Sequence, residues 1–118
     1  MEKKWREKHK QLSKQLDELN TRLVVLLRLM REFTSSPDIT DRAASAGEQQ
    51  FLANKIESVK KQIARAQRAM KLIEDDEYGV CIDCGRDITK KRLDAVPTAR
   101  RCIECQDRKE QGLPALVA

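Results

Sequence analysis

The sequence predicts an all-α protein: a long antiparallel coiled-coil hairpin, followed by a small C-terminal module built on four cysteines and a short terminal helix. Three observations carry this. Apolar residues recur in alternating steps of four and three along two long stretches. A segment rich in turn and capping residues separates those stretches. Four cysteines fall in two closely spaced pairs near the C-terminus.

Residues 1–33 contain no Gly or Pro. Within them Trp5, His9, Leu12, Leu16, Leu19, Leu23, Leu26, Met30 and Phe33 form an a/d seam with one polar member, His9. A straight helix of this length reaches about 50 Å at a rise of 1.5 Å per residue. The segment Thr34-Ser35-Ser36-Pro37-Asp38-Ile39-Thr40-Asp41 then breaks the pattern, because Pro37 disfavours helix at Ser36. Helix is expected to resume near Arg42, weakened early by Gly47, with the seam Leu52, Ile56, Val59, Ile63, Ala66, Met70 and Ile73.

Two helices of matching length joined by a short turn read as an antiparallel hairpin. A turn centred near Asp38 and Ile39 sets the register. Leu26 should face Leu52, Leu19 should face Val59, and Leu16 should face Ile63. Trp5 and His9 should lie near Met70 and Ile73, beside the cysteine module. One apolar stripe per helix satisfies its partner, which favours a monomeric hairpin. The expected organisation is a hairpin over 1–75, with an acidic tip at 34–43, and a finger with its terminal helix over 76–118.

Charged residues make up 36% of the chain and aromatics only 3%, which is too polar for a large globular core and suits a coiled coil plus a stapled module. The net charge of +5 is a mild excess and does not by itself imply nucleic-acid binding. It is unevenly spread: the two stems are basic, the tip acidic and the cysteine module nearly neutral. No signal-peptide pattern opens the chain. The longest apolar run, Leu23 to Leu27, is far too short to span a bilayer. A cytoplasmic location with no membrane partner is therefore expected.

The cysteines are Cys81, Cys84, Cys102 and Cys105. Each C-x2-C pair can bend so that two thiolates reach one metal, and four thiolates close a tetrahedral zinc shell with no position left for water. In a reducing cytosol metal binding is a better reading than two disulfides. Gly79 and Gly85 suit tight turns at the first pair. Pro97-Thr98 reads as the start of a helix that carries Cys102 and Cys105 to about Gln111 and is stopped by Gly112 and Pro114. His9, alone of its type and on a seam, reads as a packed residue rather than a ligand. No nucleophile–base pair or open metal site is visible, so an enzyme is not expected.

At the tip, Asp38 and Asp41 stand three residues apart at the start of a helix. Either can cap that helix by accepting backbone N–H groups. The pair can also serve as an acidic point that meets a cation or basic protein residues.

Finger, hairpin and tip together resemble the DksA/TraR family of bacterial transcription factors. In the finger the resemblance rests on Tyr78-Gly79-Val80-Cys81-Ile82-Asp83-Cys84-Gly85, on Arg92-Leu93-Asp94-Ala95-Val96-Pro97-Thr98-Ala99 and on Cys102-Ile103-Glu104-Cys105. At the tip it rests on Asp38, Asp41 and Ala43, similar to the family's D-x-x-D-x-A signature. Against full-size members the chain begins almost at the first stalk helix. The resemblance implies a regulator that binds RNA polymerase at its secondary channel without binding DNA. Asp38, Asp41 and Ala43 would be the effector tip near the catalytic region, one zinc ion would hold the finger, and ppGpp would be a possible co-regulator. Two other readings stay open. One is a zinc-finger nucleic-acid binder using Lys90, Lys91, Arg92, Arg100 and Arg101. The other is a coiled-coil scaffold.

Overall fold

In the computed structural model the described residues are 1–34, 42–114 and 116, with backbone only for Thr34 and for 42–45. Among them the chain is helical, with no strand beyond a single antiparallel bridge between Val80 and Asp87. A 3-10 turn at Lys3–Trp5 leads into α1, Arg6–Thr34; α2 spans Arg42–Glu74. Two short helices follow, α3 at Lys90–Ala95 and α4 at Ile103–Glu110. No helix among the described residues is long and apolar enough to cross a membrane.

The chain divides into two compact units. One is Lys14–Arg65; the other joins Met1–Ser13 to Ala66–Ala118. In the first, Leu26, Leu52, Ile56 and Val59 form a buried cluster, with Leu19, Leu23, Met30, Phe33 and Ile63 packed against it. These are the expected seam residues of both helices. The predicted partners Leu26 and Leu52 share this core, as do Leu19 and Val59. The alternation of four and three steps works because it returns a side chain to the same helical face at every contact level. Gly47 lies in α2 with open space around it, so no packing demands a glycine there.

In the second unit the core is Leu12, Ala69, Ile73, Tyr78, Ile88 and Leu93 together with three buried cysteines, and Trp5, Met70 and Leu72 pack against it. The expected meeting of Trp5 with Met70 and Ile73 beside the cysteine module is therefore observed. α2 ends in a left-handed turn: Asp76 has φ 59°, and Glu77 N–H donates to the Leu72 carbonyl at 2.8 Å.

Two features of the finger differ from the sequence reading. The terminal helix starts at Ile103, not at Pro97. Val96–Ala99 is instead a turn, closed by Ala99 N–H on the Val96 carbonyl, and the Pro97 carbonyl accepts a 2.6 Å bond from the Tyr78 hydroxyl. Pro97 serves as an acceptor inside a loop rather than as a first helical residue. The helix α3 was not anticipated. Its start is capped by Thr89, whose hydroxyl accepts from Arg92 N–H, and it buries Leu93.

Candidate metal centre

The first cysteine pair sits on a loop that only glycine geometry permits. Gly79 has φ +88° and Gly85 φ +75°, both in the left-handed region. Cys81 N–H donates to the Arg86 carbonyl at 2.8 Å, and Gly85 N–H returns to the Cys81 carbonyl at 3.0 Å. This tight turn points Cys81 and Cys84 to one side. The second pair lies at the head of α4, with Cys102 at the N-cap and Cys105 in the first turn. Ile82 N–H reaches across to the Arg100 carbonyl at 2.9 Å and ties the two loops together.

The four cysteine sulfurs lie within 4.8 Å of one another, and Cys84 Sγ to Cys102 Sγ is 3.8 Å. Four sulfurs at the usual zinc–sulfur length of ~2.3 Å, in a tetrahedron, stand about 3.8 Å apart. The donor set therefore fits zinc. Three of the four cysteines are buried and Cys102 is half-buried, so no position faces freely to water. His9 is not in this group. Its Nε2 lies 3.0 Å from Glu74 Oε1, and its side chain is 22% exposed, as expected of a packed seam residue with a partly solvated edge.

The thiols resist ionising together. Burial pushes Cys105 up to about 12, reinforced by its hydrogen bonds with Cys102, Cys81 and Cys84. Burial also acts against ionisation of Cys81, but the backbone N–H groups of Cys84, Cys102 and Asp83 outweigh it and hold that thiol at about 6. The Arg86 backbone N–H pulls Cys84 down, yet burial and the neighbouring Cys81 and Cys102 sulfurs leave it raised. A divalent cation reverses this logic, because it favours the deprotonated form at every sulfur it touches.

A surrounding frame holds the loops in place. Arg101 Nε donates to Asp83 Oδ2 at 2.8 Å with both side chains largely shielded, and Arg92 Nε donates to the Arg101 carbonyl at 2.8 Å. Trp5 meets Tyr78 edge to face, with ring centroids 4.8 Å apart. Lys8 Nζ reaches Asp94 at 2.8 Å, and the Met1 amino group reaches Asp76 at 3.4 Å. Apart from the bond between Arg92 and Arg101, nine residues apart, these contacts join segments far apart in sequence, and only the meeting of Trp5 with the module was legible from periodicity.

Of the other sequence-predicted site residues, Asp38 and Asp41 lie outside the described residues. Ala43 is described by its backbone alone, in the first turn of α2.

Residues 76–111 match the family of prokaryotic dksA/traR C4-type zinc fingers. With four clustered sulfurs of fitting geometry, the module carries one structural zinc ion. Over 75 residues, 64% of the chain, the sequence is 36% identical to the RNA polymerase-binding transcription factor DksA of Escherichia coli and covers 50% of that protein. Over 83 residues, 70% of the chain, it is 32% identical to the protein of the same name from Caulobacter vibrioides and covers 58% of it. The chain thus spans about half the length of the curated relatives it matches. The fold is similar to that of transcription factor DksA2 from Pseudomonas aeruginosa, with a TM-score of 0.82 and 28% identity over 89% of this chain and 81% of that one.

Proposed function

We propose that this chain belongs to the DksA/TraR family and is a transcription regulator that binds RNA polymerase and modulates initiation. The observation that carries this reading is the likeness to a transcription factor across 89% of the chain, hairpin as well as finger. In this reading the hairpin over 1–75 enters the secondary channel of the polymerase. Asp38, Asp41 and Ala43 are the effector tip, and its two carboxylates meet the catalytic region. The finger over 76–118 is a clasp, with Cys81, Cys84, Cys102 and Cys105 as the four zinc ligands. Four thiolates fill the tetrahedral shell and leave no open position for a substrate or an activated water, so the zinc supplies folding energy rather than chemistry. The protein acts without catalytic activity of its own, as a single chain in the cytoplasm, with ppGpp as a possible co-regulator and without direct DNA contact.

The test is transcription from a ribosomal promoter with purified bacterial RNA polymerase, with and without ppGpp, comparing wild type with Asp41→Asn. The reading expects wild type to change promoter output and the variant to bind polymerase while losing that effect. An Asp41→Asn protein of full activity would sink the tip assignment. A wild-type protein without effect on any initiation step, in either condition, would sink the reading as a whole.

A further inference from the structure

The unit Lys14–Arg65 leaves a second apolar surface uncovered, beside the seam that its two helices share. Val25, Leu29 and Phe51 are 49%, 40% and 60% exposed. Each immediately precedes a seam position: Val25 before Leu26, Leu29 before Met30 and Phe51 before Leu52. In an antiparallel pair, residues with the same offset from the seam fall on the same flank of both helices. The three side chains therefore share one flank. Because Leu26 and Leu52 are opposite in the register, Phe51 sits level with the stretch between Val25 and Leu29. Val24 and Leu27 are also exposed, but they follow their seam neighbours or point away and lie off this flank.

The charges on the same flank are ordered. Arg22 precedes seam residue Leu23, and Lys55 precedes seam residue Ile56; both are exposed and lie level with each other on the side away from the tip. Lys55 Nζ stands 4.9 Å from the centre of the Phe51 ring, which sets it at the edge of the apolar group. Exposed Glu48, preceding half-buried Gln49, lies level with Met30 on the side toward the tip. Between Arg22 and Glu48 the flank thus runs from basic through apolar to acidic, with Phe51 near its centre; exposed Glu32, preceding seam residue Phe33, extends the acidic end, and exposed Glu18, preceding seam residue Leu19, lies about one turn beyond the basic pair. Such a sequence is self-complementary. A second copy turned by half a rotation about an axis through Phe51 places apolar on apolar, and Arg22 and Lys55 of each copy against Glu48 of the other.

We propose that this flank is a self-association surface, on which a second copy of the chain packs antiparallel as a weak two-fold dimer. The inference does not depend on the polymerase reading. The apolar area is on the order of a few hundred Å² per copy. That is well short of a standard stable interface, so the dissociation constant should lie between roughly 10 μM and 1 mM. The single chain then remains the dilute form.

Sedimentation equilibrium of the full, zinc-loaded chain from about 10 μM to 1 mM tests this. The weight-average mass should climb from the monomer toward the dimer. Phe51→Ser, at an exposed position that leaves the seam intact, should weaken association at least about tenfold. Glu48→Lys alone, and Arg22→Glu with Lys55→Glu, should each be monomeric, since each sets like charges together. An equimolar mixture of those two variants restores both charge contacts and should associate within about threefold of wild type. Circular dichroism checks that each variant keeps its helices. A monomer mass at every concentration overturns the proposal. So does a dimer indifferent to Phe51→Ser, or a mixture that stays monomeric while both variants are folded.

Discussion

Replacing Gly79 by alanine attacks the finger at the point where its loop meets the start of the chain. Gly79 has φ +88°, and a Cβ there would stand 3.2 Å from Trp5 Cζ2 and 3.6 Å from Leu93 Cδ1. The left-handed backbone alone costs about 1–2 kcal/mol for a residue with a Cβ. The Trp5 contact adds about 1 kcal/mol, because the ring is wedged edge to face against Tyr78 and can retreat only by giving up that packing. The total of about 2–3 kcal/mol should lower the melting temperature by on the order of 10 °C. Trp5→Ala should itself cost about 2–3 kcal/mol, less than a fully buried tryptophan because the ring is only half-buried. In the Trp5→Ala background the steric part vanishes, so Gly79→Ala should cost about 1 kcal/mol less than in wild type. The assay is thermal or urea unfolding in excess zinc, read by circular dichroism, for all four members of the cycle. A neutral Gly79→Ala, or two costs that simply add, would refute the reasoning.

Three further outcomes follow from the same structure. Chelating zinc, or replacing Cys102 by serine, should unfold the finger and lower both the far-UV helix signal and the melting temperature, since the metal's binding energy is folding energy here; unchanged spectra and melting after chelation would contradict this. Leu52→Ala should destabilise the Lys14–Arg65 hairpin by about 2–4 kcal/mol in urea unfolding, because Leu52 lies in its buried cluster; a cost near zero would mean the seam is not packed. Tyr78, the one tyrosine, is pushed up to about 12 by burial and by the Asp94 carboxylate. Its folded value exceeds the unfolded one near 10, so its contribution to stability is complete below about pH 10 and is lost as pH rises toward 12. Phenolate absorbance should therefore appear only above about pH 11 in the folded protein and near pH 10 in urea; coincident titrations would place the ring in solvent.

What the sequence disclosed was whatever repeats or clusters. The seam residues from Trp5 to Phe33 and from Leu52 to Ile73 are all buried or half-buried in the structure, because a heptad pattern is itself a statement about one helical face. The cysteine spacing was equally legible, since two C-x2-C pairs can hardly do anything but converge. The helix α3 was not. Six residues contain too few turns to show a period, and its signal was Thr89 as a cap ahead of a single buried Leu93. The misplaced start of the last helix has a similar origin. Pro97 fits a first helical position locally, but the Tyr78 hydroxyl claims its carbonyl from 19 residues away. The frame contacts Lys8 with Asp94 and Arg101 with Asp83 are likewise non-local, and composition carries no trace of them. The exposed flank of Val25, Leu29 and Phe51 became visible only once burial separated seam residues from their neighbours.

The proposed function requires that this chain bind RNA polymerase. The most direct measurement is binding of the fluorescently labelled, zinc-loaded chain to purified bacterial RNA polymerase, with Asp41→Asn as the companion. Binding should saturate at one chain per polymerase, be unchanged in the variant and be lost when zinc is stripped. No binding of the folded wild-type chain at tens of micromolar polymerase would contradict it.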